Sequence, residues 1–408
     1  MNRIDHFLAV FGLEKRITDY NPYAPDVWGR AIHPGAGYVS AGAVLSNLAV
    51  ASRCVALRSE LLASVPLKLY RRLPNGDKER VSDSPLAAVL ADLSNPLQTA
   101  YETRELFVRS LDTAGNAYAR VERDGAGQVT ALWPLEASRV LVERLESGRL
   151  RYRYTGSKGP VVLTQDEVLH IRASSEDGLL GRSPIAIARG ALGLNLELNN
   201  LATARVVDGN HVAGFIIQEA GAGRTGANAR KNAEADLKTR VQGVANAGEV
   251  RLLDPGSKFI ANSFSNADAE LLESRKLSNE DTARIFGVPP ASVGISNSVS
   301  YGSAQQAAAD LVQNCLAPLA TRVEQAMQRC LLTEEGRRTL IIEHDLSGLL
   351  RGDATQRWAA YKTGREIGAL SSQEIRRFEN LGPLDPNDDY SPLRSTPAPN
   401  DPIATVKP

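Results

Sequence analysis

Residues 267–332 constrain the fold of this chain more than any other stretch, because they predict two helices with an abrupt interruption between them. Residues 268–286 are rich in strong helix formers. Gly287 suits the left-handed position that follows a last helical turn. Pro289 and Pro290 cannot donate the hydrogen bonds that a continuing helix needs. The first helix is therefore predicted to end at this point.

The interruption itself predicts a surface loop. Residues 296–303 contain four serines, one asparagine and one glycine and carry no charge, so they offer little to bury. Beyond them, apolar residues recur at helical spacing through residues 304–332, which predicts a long second helix. Pro318 lies inside that helix and is expected to bend it.

The half of the chain that precedes this stretch predicts a mixed α+β layer. Residues 1–40 contain several prolines and glycines, and we expect a flexible arm there that packs on a neighbour in an oligomer. Hydrophobic periodicity predicts the elements that follow. The predicted helices are 41–64, 85–93 and 103–111, and the predicted strands are 65–72, 116–123, 128–133, 139–143, 150–154 and 168–173.

Further helices and a second small α/β unit complete the prediction. Ser183 and Pro184 favour the start of a helix that runs from 185 to 207. Strands and a polar helix are predicted within 212–264. A strand at 338–343 and helices at 355–367 and 371–380 follow, and residues 384–408 have the composition of a disordered tail.

The charge balance excludes strong binding to nucleic acid through a basic surface. The 408 residues include 47 Lys plus Arg and 47 Asp plus Glu, which gives no net charge at pH 7. A protein that holds nucleic acid by phosphate contacts normally carries a basic excess. With 43% hydrophobic residues the chain can form a real core. No stretch of eighteen uninterrupted apolar residues is present, so a membrane span is not expected.

A glycine-rich sequence at 221–226 supports one alternative function. It fits the G-x-G-x-x-G pattern, follows a predicted strand and opens a helix, which is typical of dinucleotide-binding sites. An oxidoreductase that binds NAD(P) is therefore the alternative hypothesis. Glu219 would, however, lie beside the pyrophosphate, and Asp254 lies beyond the usual spacing for the ribose contact. A glycine-rich surface turn is the simpler interpretation.

The sequence contains no pattern that predicts an enzyme. Residues that could act in catalysis or bind metal are scattered, and no G-x-x-x-x-G-K-[ST] phosphate loop is present. We therefore expect no catalytic site, no cofactor and no metal. The cysteines lack ligand spacing and lie in helical apolar patterns, so we expect reduced core residues of a cytosolic protein. The scattered histidines are His6, His33, His170, His211 and His344, and the cysteines are Cys54, Cys315 and Cys330.

An ordered series of segments supports a more specific hypothesis. They are SRCVALRSELLASVPLKLYRR (52–72), GNAYARVERDGAGQVTALWPL (115–135), DEVLHIR (166–172), GLLGRSPIAIA (178–188), LLESRKLSNEDTARIFGVPPASVG (271–294) and SYGSAQQAAADLVQNCLAPLATRVEQAMQRCLL (300–332). In this order they resemble the HK97-like family of portal proteins from tailed double-stranded DNA bacteriophages. The resemblance covers roughly residues 40–385.

The resemblance implies a portal fold that assembles into a ring, with the following parts. Residues 41–182 correspond to the α+β wing and 183–210 to the first stem helix. Residues 211–265 correspond to the small α/β clip and 266–287 to the second stem helix. Residues 288–303 correspond to the tunnel loop. Residues 304–383 correspond to the long kinked helix, the rest of the wing and the helical crown.

The resemblance also implies the function and the partners. A dodecameric ring at one capsid vertex would pass double-stranded DNA without sequence specificity and would contact the major capsid protein. The large terminase ATPase and later the head-tail adaptor would dock on the clip. The protein would be found in the virion, and in the host cytoplasm during assembly. The implied tunnel-loop residues are Ser296, Asn297, Ser298, Ser300, Tyr301, Gly302 and Ser303, and the implied motor-docking residues are Arg224, Arg230, Lys231, Lys238 and Arg240.

Overall fold

The computed structural model describes most of the chain as two separate units. It describes residues 16–20, 39–157, 159–207, 214–218, 257–261, 266–295, 301–350 and 354–379. The first unit extends to Leu350 and the second begins at Arg351.

Eleven of the fourteen described strands lie within the first 172 residues. In chain order they are β1 (Arg16–Tyr20), β2 (Leu67–Arg72), β3 (Lys78–Val81), β4 (Leu93–Asn95), β5 (Gln98–Thr99), β6 (Asn116–Arg123), β7 (Val129–Leu135), β8 (Val140–Leu145), β9 (Leu150–Gly156), β10 (Gly159–Thr164), β11 (Val168–Arg172), β12 (Gly214–Gln218), β13 (Ser257–Ala261) and β14 (Leu340–His344).

The two longest described helices lie in the second half of the first unit. In chain order the described helices are α1 (Ala41–Asn47), α2 (Ala49–Ser64), α3 (Pro85–Ala91), α4 (Ala100–Ala114), α5 (Pro184–Ile187), α6 (Arg189–Val207), α7 (Asn266–Ile285), α8 (Tyr301–Asp310), α9 (Ala317–Leu331), α10 (Gly336–Thr339), α11 (Ser347–Leu350), α12 (Ala354–Glu366) and α13 (Ser372–Phe378).

The sheets are small and antiparallel, as expected for a mixed α+β wing. The strand orders are β1-β8-β9-β10, β11-β6-β7 and β14-β2-β3, with the pairs β4-β5 and β12-β13. Strand β14 lies beside β2, with Ile342 opposite Leu69. The sheet that contains β2 and β3 is therefore completed by a strand that follows the long second helix of the chain. The α+β fold class predicted from the sequence is confirmed.

Strand β1 lies within residues 1–40, for which the sequence predicted a flexible arm and no strand. Residues 16–20 pair with β8, and Tyr20 lies opposite Val142. Their alternation of apolar and polar residues is short, and its pairing partner lies more than a hundred residues away. A local reading of the prolines and glycines around it therefore missed the strand.

Three hydrophobic clusters form the core of the first unit. The largest joins α3, α4 and α9 to the sheets, with Phe107, Leu169 and Ile342 at its centre. The second joins α1, α2, α6 and the end of α7, and includes Phe286. The third lies under β8 and β9 around Tyr152. The second cluster therefore packs the two predicted stem helices against α1 and α2.

The two predicted stem helices pack through a buried polar contact. Asn195 on α6 is 1% exposed, and its amide donates to Thr282 Oγ1 on α7 at 2.9 Å. The helix predicted for 185–207 is interrupted at Ala188, which separates α5 from α6. Ser183 caps α5 as predicted, since its hydroxyl accepts from the Ala186 backbone N–H at 3.0 Å.

The predicted long helix contains a widened turn directly before Pro318. Residues Leu311–Leu316 form a π-helix between α8 and α9. The Ala317 N–H donates to the Val312 carbonyl, five residues back. Because Pro318 has no N–H and its ring crowds the preceding turn, the regular pattern of hydrogen bonds cannot continue there. Sequence reasoning identified Pro318 but not the π-helix.

The second unit is a pair of helices with a capped junction. Ser371 and Glu374 form a capping box, in which Glu374 accepts from the Ser371 N–H at 2.8 Å and donates its own N–H to Ser371 Oγ at 3.2 Å. Glu379 lies 2.6 Å from Arg357 and accepts from the Tyr361 hydroxyl at 3.0 Å. These contacts join α12 to the end of α13.

Candidate functional site

Two backbone hydrogen bonds define how α7 ends. Gly287 has φ of 67°, and its N–H donates to Arg284 O, while the Val288 N–H donates to Ala283 O, both at 3.0 Å. This pair of bonds is the Schellman arrangement, which needs a left-handed residue and therefore favours glycine. Ala283 and Val288 are both buried. The predicted helix stop is thus confirmed, and it is buried at Ala283 and Val288.

The segment after α7 makes one further turn before the candidate tunnel loop. A 3₁₀ turn at Pro290–Val293 ends at Gly294, which has φ of 78°. Residues Ser296, Asn297, Ser298 and Ser300 lie outside the described residues. Helix α8 already begins at Tyr301, so Tyr301, Gly302 and Ser303 lie in its first turn rather than in a loop. The predicted loop is therefore shorter at its carboxyl end than the sequence indicated.

The single basic residue in the last turn of α7 is neutralised by acidic neighbours. The Arg284 guanidinium lies 2.9 Å from Glu280 and 2.5 Å from Asp281. The Glu280–Arg284 pair has the spacing and order that support a helix surface. All three side chains are at least one third exposed. This end of α7 consequently presents little unpaired positive charge.

A close backbone contact fixes the route from the wing into α5. Gly115 has φ of 77°, and a Cβ atom built on it would lie 2.5 Å from Gly181 O and 2.6 Å from Ser183 N. The buried Asn116 side chain accepts from the Gly181 N–H at 2.8 Å and donates to Gly181 O at 2.9 Å. Asn116 also bonds His170 Nε2 at 2.9 Å. Sequence patterns gave no indication of this joint, because it depends on two glycines far apart in the chain.

His170 is a structural residue of this joint. Its other ring nitrogen lies 3.2 Å from the Tyr152 hydroxyl. Burial lowers the pKa of His170 well below its ordinary value, and the charges of Arg172 and Arg329 add to the effect. The imidazole is therefore neutral at physiological pH.

Within the predicted clip, the structure describes residues 214–218 and 257–261. Strands β12 and β13 pair antiparallel, with Phe215 opposite Ile260. The motor-docking candidates lie outside the described residues, as does the glycine-rich sequence at 221–226. They are Arg224, Arg230, Lys231, Lys238 and Arg240.

The acidic residues on either side of His344, Glu343 and Asp345, each pair with a different lysine. Glu343 pairs with Lys78, and Asp345 lies 2.7 Å from Lys68. His344 Nδ1 lies 2.8 Å from Glu324. Within the described ranges no three His, Cys, Asp or Glu side chains are grouped so that they could hold a metal ion.

The cysteines are free and largely buried. Cys54 and Cys315 are buried, and Cys330 is half-buried. Burial raises the pKa of Cys54 to about 12 and that of Cys330 to about 11, so these thiols remain protonated. Among the helices that the structure describes, none is long and apolar enough to cross a membrane.

Comparison with known proteins identifies the family. The profile of the phage portal protein family matches residues 49–380. The portal protein of Enterobacteria phage HK97 is 33% identical over 335 residues, which are 81% of this chain and 78% of that protein. A chain in the neck of an empty gene transfer agent particle, computed with C6 symmetry, superposes with a TM-score of 0.61 at 25% identity and covers 89% of this chain and 100% of that one. A chain in the neck of the native particle, computed with C12 symmetry, gives 0.57 at 23% identity, with 84% and 92% covered.

The fold and these matches define a structural protein of a phage-type particle that forms a homo-oligomeric ring. The chain belongs to the phage portal protein family. Its location is therefore the capsid of a virion or a related particle. The family match spans the glycine-rich sequence at 221–226, and no observation favours the NAD(P)-binding alternative.

Proposed function

We propose that the ring conducts double-stranded DNA along its axis, with the tunnel loop at the narrowest point. Family membership carries this proposal. It is supported by the backbone bonds that end α7 at Gly287 and by the start of α8 at Tyr301, because residues 296–300 lie between these two elements in the chain. In this proposal the protein contributes shape and no catalysis, and a separate terminase ATPase drives packaging.

The charge distribution suits a channel through which DNA moves. A surface of unpaired lysine and arginine would retain DNA, because each neutralised phosphate adds to the affinity. Residues 296–303 carry no charge, and the chain as a whole has no net charge. Arg284 is paired with Glu280 and Asp281. Serine and asparagine side chains can form weak, exchangeable hydrogen bonds with a sliding backbone.

An apolar stripe on α6 supports ring closure. Leu194 and Leu201 lie seven residues apart and are 62% and 42% exposed. Seven residues correspond to about two helical turns, so the two side chains lie along one face of α6. A ring requires head-to-tail interfaces between different surfaces of neighbouring subunits. We assign this stripe to the contact with the next copy of the chain, in a ring of twelve.

The remaining partners follow from the same proposal. The clip residues Arg224, Arg230, Lys231, Lys238 and Arg240 form the docking surface for the terminase and later for the head-tail adaptor. The wing contacts the major capsid protein. Changing Arg230, Lys231 and Lys238 to Glu weakens binding of the terminase without changing the mass of the ring. An unchanged rate of packaging in this variant would show that these cations are only solvated.

Shortening the tunnel loop is the direct test of the proposed role. Removal of residues 297–299 leaves both helices intact, so the ring is expected to assemble with the native number of subunits. DNA packaging in an in vitro reaction, or retention of packaged DNA, is expected to fall. Failure of the shortened protein to form rings would instead identify the loop as an interface element and would refute the assignment.

A further inference from the structure

The carbonyl group that ends α7 has a partner from a distant helix. Phe286 follows the last helical residue, and its carbonyl is one of the acceptors that a helix leaves without an internal partner. Arg58 on α2 donates a hydrogen bond to this carbonyl. Since the carboxyl end of a helix carries partial negative charge, a guanidinium is the favoured group there.

The same guanidinium reaches the second helix that borders the tunnel loop. Nη1 of Arg58 lies 3.6 Å from Cys315 Sγ, within the π-helix that precedes Pro318. Cys315 Sγ in turn lies 3.8 Å from the Phe286 carbonyl. Arg58 therefore contacts both ends of the segment 287–314, at the points where it leaves and rejoins the wing.

A buried carboxylate holds Arg58 in this orientation. Nε of Arg58 lies 3.0 Å from Oδ2 of Asp112 on α4, and the two side chains are 13% and 2% exposed. Burial raises the pKa of Asp112 to about 6, although the nearby Arg58 charge opposes the shift. A buried pair of this kind contributes little net stability compared with apolar residues of the same size, so a role in setting geometry is the better explanation.

We infer that Arg58, oriented by Asp112, is a positioning residue that holds the end of α7 against the π-helix and so fixes both ends of segment 287–314. This deepens the proposed function, because the segment it anchors contains the proposed tunnel loop. A planar guanidinium can reach Asp112 and the Phe286 carbonyl at once, whereas a lysine ammonium is a single point charge.

The test compares an apolar replacement of the pair with a matched control. Arg58→Met combined with Asp112→Leu removes both charges together and preserves most of the volume. Arg104→Met is the control, because Arg104 is a buried arginine that, like Arg58, donates to backbone carbonyls, but to those of Ala63 and Leu90, away from segment 287–314. Arg58→Lys, which keeps the charge, is the second variant in case the double variant does not fold.

The measurement is the mobility of a nitroxide label on intact rings. Ser298→Cys supplies the only readily reactive thiol, since the native cysteines are largely buried with raised pKa values. A several-fold faster label motion is expected in the Arg58→Met, Asp112→Leu protein and in Arg58→Lys, with no change in Arg104→Met.

Two results would overturn the inference. One is an unchanged spectrum in both Arg58 variants. The other is an equal increase in Arg104→Met, which would indicate general loosening. Because label motion is read without DNA, faster motion combined with normal packaging would support the positioning role and refute the proposed channel role of the loop.

Discussion

Substitution of Gly115 by alanine tests the backbone joint between the wing and α5. An alanine in the left-handed conformation costs about 1–2 kcal/mol. The added Cβ atom would also lie 2.5 Å from the Gly181 carbonyl oxygen and 2.6 Å from the Ser183 nitrogen, far inside contact distance. Overpacking of this kind costs about 1–3 kcal/mol. The free energy of unfolding is therefore expected to fall by about 2–5 kcal/mol.

Gly76→Ala is the matched control for the conformational part of that loss. Gly76 has φ of 91°, and a Cβ atom built on it would meet nothing within 4 Å. Its loss is expected to be only the conformational part, about 1–2 kcal/mol. Urea unfolding of each purified variant, followed by circular dichroism, gives the free energies by linear extrapolation. Equal losses in the two variants would show that the backbones of Gly115 and Gly181 are not in close contact and would refute the argument.

Three further predictions follow from the described residues. Glu280→Gln with Asp281→Asn frees Arg284, so the DNA affinity of the ring is expected to rise and to depend more steeply on salt in a filter-binding assay. Leu194→Glu is expected to prevent ring assembly in native mass spectrometry while changing the free energy of unfolding by no more than about 0.5 kcal/mol, because Leu194 is exposed. His170 has a lowered pKa when folded, so only the unfolded chain binds a proton just below pH 6.5. Stability is therefore lost as the pH falls below about 6.5, by up to about 1.4 kcal/mol per pH unit, and His170→Gln should reduce this slope in urea unfolding at pH 5–7.

Each of these results has a contradicting outcome. Unchanged DNA affinity in the Glu280→Gln, Asp281→Asn protein would show that this end of α7 does not line the channel. Formation of normal rings by the Leu194→Glu protein would show that the apolar stripe does not form the contact between subunits. An unchanged acid slope in His170→Gln would show that His170 protonates equally in both states.

Local signals in the sequence predicted the elements whose ends are set by neighbouring residues. The stop of α7 at Gly287 and the cap of α5 at Ser183 depend on residues within one turn of each helix end. Such signals can be read from one sequence because cause and effect are adjacent. The resemblance to a known family then supplied the function.

Features that depend on distant pairs could not be predicted in this way. Strand β1 needs β8 as its partner, and the Gly115–Gly181 contact joins residues that only the folded chain brings together. The link from Arg58 to the Phe286 carbonyl spans 228 positions. The π-helix was missed for a different reason, since hydrophobic spacing over six residues does not distinguish it from an α-helix.

The central claim is that many copies of this chain close around an axis wide enough for a DNA duplex. Electron microscopy of the purified protein, combined with its native mass, tests this claim directly. We expect closed rings with a central hole and a mass that is twelve times that of one 43.9 kDa subunit. A compact monomer without a central opening would contradict it.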